Sequence, residues 1–236
     1  MSQKLDIEEI KEKIHAKLSP SGWGRVLHGF IFSKEFETIM LQLAKQARDG
    51  KRFTPTLKNV FRAFEECPFS ELKVIIVGQD PYPGFNQADG IAFSLKDSEM
   101  QPSLDYILRA VNDTVYNGQA VSHEKDLKRW SNQGVLLLNT ALTTTVGKIG
   151  QHYLIWQPFM AYLFDYLSWY CPGLVYIYMG KKAEEWASCV NDNNYKFFVT
   201  HPASASYNNL PSWDCKNVFV ETKNILKKNY NFDIEW

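Results

Sequence analysis

Four uninterrupted apolar runs of strand length constrain the fold of this chain more than any other feature. The runs are residues 72–77, 135–138, 174–179 and 197–199. Continuous apolarity is typical of strands that are buried on both faces, and segments with apolar residues at helical spacing lie between the runs. The pattern predicts an α/β fold: a single domain with a central four-stranded, mostly parallel sheet flanked by helices on both faces.

The first 20 residues are predicted to form an N-terminal helical arm on a domain that spans residues 21–236. Apolar residues recur at helical spacing from Ile7 to Leu18, and Ser19-Pro20-Ser21-Gly22 ends that helix. A further helix is predicted to begin after Ser33 and to end at Asp49-Gly50. The chain is 45% hydrophobic and has no linker or low-complexity segment, so it has enough apolar material for one large core.

Composition excludes several classes of protein. Lys+Arg and Asp+Glu balance at 26 each, so the chain lacks the bulk positive charge of a non-specific nucleic-acid coat, and any contact with a nucleic acid would have to be local. The four cysteines, at 67, 171, 189 and 215, are too widely spaced for a metal knuckle and are predicted to be reduced core thiols of an intracellular protein. The N-terminus is polar, and no apolar run approaches the length of a membrane span, so neither secretion nor membrane insertion is expected.

Polar side chains follow each apolar run at once. Gln79 and Asp80 follow the first run, Asn139 the second, Lys181 the third and His201 the fourth. Ligands of parallel sheets bind outside the carboxyl ends of the strands. We therefore expect a carboxylate, a carboxamide, a cation and an imidazole at one edge of the sheet.

The segment Gly78-Gln79-Asp80-Pro81-Tyr82-Pro83-Gly84 is predicted to be a rigid turn. Its two glycines are expected to permit unusual backbone angles, and its two prolines fix φ. An Asp-Pro pair after a strand is by itself most often a tight connection in which the aspartate caps a helix. The complete segment is much more specific than an Asp-Pro pair, and its rigidity is expected to fix the direction of the Asp80 side chain.

This segment resembles the water-activating motif of the family 1 uracil-DNA glycosylases, Gly-Gln-Asp-Pro-Tyr-His. Residues 84–94, 102–104, 134–139 and 201–202 match further segments of that family in the same order, and the resemblance runs from about Trp23 to Trp236. It implies that residues 21–236 are a catalytic domain that flips uracil out of single- or double-stranded DNA. The domain would hydrolyse the N-glycosidic bond, release free uracil and leave an abasic site.

The resemblance assigns catalysis to Asp80 and His201. Cleavage passes through a sugar cation and a departing uracil anion, so the site needs negative charge below the sugar and a donor beside uracil O2. By the resemblance, Asp80 positions the attacking water and stabilises the sugar cation. Neutral His201 donates a hydrogen bond to O2.

Four residues are implied to bind uracil. The carboxamide of Asn139 would pair with O4 and N3 of uracil and leave cytosine with unpaired polar groups, which a buried site rejects strongly. Tyr82 would fill the space of the thymine methyl group. Phe93 would stack on the flipped base, and Gln79 would add a backbone contact.

The implied DNA contacts include departures from the family. Ser103 and Ser206 match positions that hold phosphates. Lys181 stands where the family has a small phosphate-contacting residue and should add one charge contact. Ala205 stands where the family has the leucine wedge that fills the hole left by the flipped base, so duplex DNA should be cut less well, relative to single strands, than by a leucine-bearing relative.

Two further features concern these departures. Tyr207 and Leu210 are candidate replacements for the missing wedge. Pro83 stands where the family usually has a histidine, so a second imidazole beside the water site is missing, and we expect activity to survive the change.

Partners and alternatives complete the sequence-based hypothesis. The expected partners are uracil-containing DNA and, as a candidate, a protein inhibitor that mimics DNA; we expect a monomer without cofactor or metal, in the cytoplasm or, in a eukaryote, the nucleus. Three alternatives remain: a metal-dependent phosphoesterase or nucleoside hydrolase using Asp80, a glycosylase for a modified pyrimidine, and a catalytically silent DNA- or protein-binding relative. The strand ends lack clustered carboxylates or histidine pairs, Tyr82 favours uracil, and a pure scaffold has no reason to keep Asp80, Asn139 and His201 together.

Overall fold

The computed structural model describes residues 6–236, and a parallel sheet lies at its centre. The strand order is β3-β2-β5-β6, with the bounds β2 Val74–Gly78, β3 Val135–Asn139, β5 Val175–Met179 and β6 Tyr195–Val199. Val74 pairs in register with both Val135 and Val175, and Val175 pairs with Tyr195. The strands therefore begin and end level, and the predicted four-stranded parallel sheet is confirmed.

Helices flank this sheet. They are α1 Ile7–Leu18, α2 Trp23–Ile31, α3 Lys34–Arg48, α4 Arg62–Glu66, α5 Pro102–Val115, α6 Lys128–Ser131, α7 Tyr153–Tyr170, α8 Lys181–Glu184, α9 Ala203–Tyr207 and α10 Val218–Tyr230. Short 3-10 turns span Leu57–Asn59, Phe69–Glu71 and Ala187–Cys189, and two short strands, β1 Phe53–Thr54 and β4 Thr144–Thr145, form an antiparallel pair. Successive side chains of a strand point to opposite faces, so the complete burial of β2 and β5 means that both faces of the sheet are covered.

The N-terminal helices follow their sequence signals. In α1 the Asp6 side chain accepts a hydrogen bond from the Glu9 amide at 3.0 Å, and in α3 Ser33 accepts one from Phe36 at 3.2 Å, as N-caps do. The arm helix packs against α2 through the fully buried Leu18. The two predicted helices, α1 and α3, are confirmed. The division of the chain after residue 20 stays a prediction, and residues 1–5 of the arm lie outside the described part of the chain.

Two expectations about burial were wrong. The run at residues 197–199 was expected to be buried on both faces, but β6 has one neighbouring strand, and its Phe198 is 40% exposed. Edge strands leave one side of the chain open to solvent. The cysteines were expected to be core thiols, and this holds for Cys67 and Cys215, whereas Cys171 is partly exposed and Cys189 is exposed.

The chain's C-terminus is tied into the aromatic core. Trp236 is completely buried, its indole N–H donates to the Phe219 carbonyl at 3.0 Å, and its ring contacts Trp130 edge-to-face at 5.1 Å. Such aromatic pairs add about 0.5–1.5 kcal/mol beyond the burial of their area. In residues 6–236, no helix is both long enough and apolar enough to cross a membrane.

Candidate active site

A cavity of about 300 Å³ opens where the parallel strands end. Gln79 and Asp80 reach it from the end of β2, Asn139 from the last position of β3, and His201 from the loop after β6. Tyr82, Phe93 and Ser103 also line it. The structure thus brings together all the residues predicted for catalysis and uracil binding, and one of the four predicted for DNA.

Asp80 accepts hydrogen bonds on both of its carboxylate oxygens. The Gly150 amide donates to Oδ2 at 2.8 Å, and the Tyr153 hydroxyl donates to Oδ1 at 3.1 Å. Burial raises the pKa of Asp80, and the hydrogen bonds from Gly150, Tyr153 and Gln79 oppose that rise because they favour the charged form. The carboxylate is therefore oriented and stabilised as an anion within a partly dry site.

His201 has a defined tautomer. The backbone N–H of Ala203 donates to Nδ1 of His201 at 3.2 Å, so Nδ1 carries a lone pair and the ring proton of the neutral imidazole lies on Nε2. Burial lowers the pKa of His201 to about 4, which keeps the ring neutral at physiological pH. The imidazole can therefore donate a hydrogen bond through Nε2 without carrying charge.

Asn139 and Phe93 meet over Gly78. A Cβ atom at residue 78 would come within 2.6 Å of the Asn139 Oδ1 atom and 3.1 Å of the Phe93 ring, so any other residue there would displace both. Neither Gly78 nor Gly84 has a positive φ in the structure, so the unusual backbone angles that glycine permits are not used at either position. Glycine is required at position 78 because Asn139 and Phe93 approach the backbone too closely to leave room for a Cβ atom.

Phe93 is the residue with the unusual backbone. Its φ is +65°, a conformation that a bulky side chain rarely adopts, and the ring is buried and lies 5.8 Å from the His201 ring. The Tyr82 hydroxyl donates to the Phe93 carbonyl at 3.1 Å and so ties the two predicted uracil-binding residues together. Strain of this kind persists only when the surroundings hold it, and it concentrates at functional sites.

A buried ionic network holds the segment that carries Phe93. Asp89, 5% exposed, accepts hydrogen bonds from the Ile91 amide at 3.0 Å and the Ser94 hydroxyl at 2.7 Å. Arg62 of α4 lies 2.8 Å from Asp89 and donates to Asp126 at 2.6 Å. The segment at residues 89–94 is therefore fixed from both ends, which supports the strained backbone of Phe93.

The backbone of Gln79 is also fixed. Its carbonyl accepts hydrogen bonds from the Thr140 hydroxyl at 2.7 Å and the Ala141 amide at 3.3 Å. Because the carbonyl is engaged, the backbone N–H of Gln79 is the group that remains to contact a ligand in the cavity.

The predicted DNA contacts lie in two settings. Ser103 is buried at the second position of α5 and lines the cavity, whereas Lys181 is exposed at the first position of α8. Ser206 is half-buried in α9, and Ala205 beside it is only 1% exposed, so its methyl group faces the protein. Tyr207, 80% exposed, lines the mouth of the cavity. We call Lys181, Ala205, Ser206 and Tyr207 the rim.

Sequence reasoning missed the two donors to Asp80. Gly150 and Tyr153 lie 70 and 73 residues from Asp80 along the chain and belong to no recognisable motif. The nearest signal in the sequence was the long apolar helix that begins at residue 153. Its N-terminal end lies near the edge of the sheet, but the pattern does not indicate which side chain reaches the site. Among residues 6–236, no group of three or more His, Cys, Asp or Glu side chains has the geometry to hold a metal ion.

Comparisons with known proteins point to one family. A sequence model of the Uracil DNA glycosylase superfamily matches residues 64–225. A uracil-DNA glycosylase of Acinetobacter baylyi is 32% identical over 97% of this chain and 98% of its own length, and one of Blochmanniella floridana is 34% identical over 85% and 91%. An alignment over 97% of the chain includes most of the first 20 residues, so the expectation that the arm lies outside the resemblance was wrong.

Solved structures agree in fold. The crystal structure of mimivirus uracil-DNA glycosylase has a TM-score of 0.82 and 24% identity over 92% of this chain and 86% of that chain. A variant of mimivirus UNG in complex with UGI has a TM-score of 0.80 and 25% identity over 89% of this chain and 85% of that chain.

Proposed function

The chain belongs to the Uracil DNA glycosylase superfamily and excises uracil from DNA in DNA repair, and we propose that Asp80 and His201 are its catalytic residues. One observation carries the proposal: a single cavity holds an oriented, partly desolvated carboxylate and an imidazole with its proton on Nε2. These are the two groups that cleavage of a glycosidic bond to a departing base requires.

Asp80 acts on the sugar side of the bond. Gly150 and Tyr153 each engage one oxygen, and the carboxylate keeps acceptor capacity for an attacking water. Its negative charge also stabilises the sugar cation that forms as the bond breaks. Partial burial strengthens both interactions, because the effective dielectric constant is lower than in water.

His201 acts on the base side. As the bond breaks, negative charge accumulates on uracil O2, and the Nε2–H of neutral His201 donates to it. A neutral donor suits this role because the ring is buried, with its pKa lowered to about 4. Water then adds to the sugar cation and loses one proton, and the departing uracil anion takes up one proton from solvent, so free uracil and an abasic site result.

Recognition of the flipped base rests on the opposite part of the cavity. Asn139 pairs with O4 and N3 of uracil, Phe93 stacks on the ring, and Gln79 donates its backbone N–H. Tyr82 is tied to the Phe93 carbonyl and fills the place of a C5 methyl group, so thymine is excluded. A fixed carboxamide discriminates against cytosine because mismatched donors would remain unpaired in a buried site.

Contacts with DNA are local, as the balanced charge of the chain requires. Ser103 near the N-terminus of α5 and Ser206 of α9 hold phosphates, and Lys181 adds one charged contact. Because Ala205 is buried, it offers neither side-chain bulk nor contact area to a duplex, and Tyr207 takes the part of the wedge that fills the space left by the flipped base. The exposed phenol at the mouth of the cavity supports this assignment.

We also propose the molecular setting of this activity. The protein acts as a monomer in the compartment that holds the DNA, which is the cytoplasm or, in a eukaryote, the nucleus. The chain divides after residue 20 into an N-terminal arm, whose helix spans Ile7–Leu18, and a catalytic domain at residues 21–236. A DNA-mimicking inhibitor protein is a further partner, a proposal supported by the complex of a mimivirus UNG with UGI.

A base-release assay in chelator tests the catalytic assignment. Matched oligonucleotides that carry uracil, thymine or cytosine, single- and double-stranded, are incubated with wild type and with Asp80→Asn, and abasic sites are revealed by alkaline cleavage. We expect release of uracil alone, and a loss of about a thousandfold or more in Asp80→Asn, since the substitution removes the negative charge and replaces one acceptor oxygen with an amide donor. Wild-type rates in Asp80→Asn would overturn the assignment, and loss of wild-type activity in chelator would favour a metal-dependent mechanism.

A further inference from the structure

Tyr153 lies beside the reacting groups, although no sequence motif indicates it. It is the first residue of α7, and its hydroxyl donates to Asp80 Oδ1 at 3.1 Å while the Gly150 amide donates to Oδ2 at 2.8 Å. A carboxylate held at one oxygen can still turn about its Cβ–Cγ bond. Donors on both oxygens fix the plane of the group and therefore the direction of its remaining lone pairs.

Gly150 is shaped to admit the Tyr153 ring. Its φ is +71°, and a Cβ atom there would come within 2.9 Å of Tyr153 Cε2. The tyrosine ring thus lies against bare backbone, and the same short segment delivers both donors to Asp80. This arrangement requires a glycine at 150 for two reasons, the backbone angle and the close approach.

The hydroxyl of Tyr153 is a permanent donor. Burial, and then the charge of Asp80, raises the pKa of Tyr153 above its ordinary value, so the phenol keeps its proton throughout the working pH range. Toward an ionised carboxylate, a protonated phenol can only donate. Two other titratable groups lie near this pair: Glu185, whose charge also acts on Tyr153, and His201, which lines the same cavity and stays neutral.

The neighbouring position 83 cannot supply such a group. Pro83 lines the cavity two positions after Pro81 and carries no polar side chain, whereas the resemblance leads one to expect an imidazole there. We propose that Tyr153 is the positioning residue of this enzyme, which orients the Asp80 carboxylate toward the attacking water in place of a polar group at position 83. This inference rests on the proposed role of Asp80.

Tyr153→Phe removes the hydroxyl and keeps the ring. We expect kcat in single-turnover assays on single-stranded uracil DNA to fall about tenfold, the range for a hydrogen bond to a charged group, with KM within about twofold. The acid limb of the kcat profile should move to higher pH, because Asp80 loses a donor that favours its charged form. Tyr162→Phe is the matched control: its hydroxyl, on the same helix, donates to the Val26 carbonyl at 3.0 Å, so kcat and the pH profile should not change.

The outcomes separate this inference from the assignment of Asp80. If Asp80→Asn is inactive and Tyr153→Phe retains wild-type kcat and pH profile, Tyr153 has no positioning role and the inference fails alone. If Asp80→Asn remains active, the proposed function fails first. A fall in kcat without movement of the acid limb would mark Tyr153 as merely structural and overturn the inference.

A second variant keeps the test decisive if Tyr153→Phe fails to fold. Gly150→Ala retains the phenol and pushes its ring away from Asp80. We expect the same direction of change in kcat and in the acid limb, with an unchanged KM. Wild-type values for Gly150→Ala would overturn the inference.

Discussion

The cavity and the rim differ in how their side chains are held. Asp80, Phe93 and His201 are buried or half-buried and are fixed by hydrogen bonds or ring contacts. In the rim, Lys181 and Tyr207 are exposed on helices of four and five residues. Substitution of a buried side chain that is held by several contacts usually lowers stability, whereas substitution of an exposed side chain on a short helix has little effect on stability. On the proposed roles, base recognition depends on side chains that the fold holds in place, and the handling of duplex DNA depends on residues that the fold leaves exposed.

The largest expected effect lies in the cavity. Asn139→Ala removes the carboxamide at the end of β3, which is the group proposed to pair with O4 and N3 of uracil. We expect kcat/KM on uracil DNA to fall by roughly a thousandfold, in line with sites built to hydrogen-bond a substrate. The loss should be equal on single- and double-stranded DNA, because both deliver the same flipped base.

Steady-state kinetics on both substrates measure this effect. Asn229→Ala, which removes a carboxamide at an exposed position near the end of α10, is the matched control and should behave as wild type. A loss on duplex DNA alone would mean that Asn139 acts in opening the duplex rather than in reading the base.

The second prediction concerns the buried member of the rim. Ala205→Leu adds bulk at a position that is 1% exposed, where α9 packs against α5. Overpacking of this kind lowers the free energy of unfolding by about 1–3 kcal/mol. Since the added side chain enters the protein, we expect the ratio of duplex to single-strand activity to stay at its wild-type value.

Denaturant unfolding and paired activity assays test this prediction. Ala16→Leu, at an exposed site of α1, should leave the unfolding midpoint close to wild type. A rise in relative duplex activity in Ala205→Leu would show that a leucine at 205 turns outward and acts as a wedge.

Sequence alone was informative where local pattern and topology coincide. The strands are continuous apolar runs, and parallel strands of equal register must place Asp80, Asn139 and His201 at one edge. The contact of Tyr153 with Asp80 spans 73 residues and depends on how α7 enters the site, which no local pattern encodes. The burial of Ala205 likewise follows from the packing of α9 against α5, since a short Ala/Ser segment has no apolar periodicity from which to predict a buried face.

The third prediction tests the exposed aromatic residue of the rim. Tyr207→Ala removes the side chain proposed to fill the hole in the duplex, so duplex activity should fall about tenfold, the cost of one lost stacking contact. Single-stranded DNA has no such hole, and its activity should fall by less than about threefold. Tyr170→Ala is the control, because Tyr170 is 72% exposed and precedes the amino end of β5, away from the cavity. Equal losses on both substrates would assign Tyr207 to general strand binding, and a loss confined to Leu210→Ala would move the wedge there.

The smallest expected effect is electrostatic and comes from Lys181. If this lysine neutralises one phosphate, Lys181→Ala should reduce the slope of log K against log salt by about one unit, because one fewer counterion is released on binding. Lys182 provides a control with the same charge change: its ammonium already pairs with Glu185 at 2.7 Å, so Lys182→Ala should leave the slope nearly unchanged. Binding of Asp80→Asn protein to uracil DNA, measured by fluorescence anisotropy across a salt series, gives both slopes without turnover. Equal slopes for Lys181→Ala and wild type would make Lys181 a solvated surface residue, and the rim would then contact DNA through Ser206 and Tyr207 without a cation of its own.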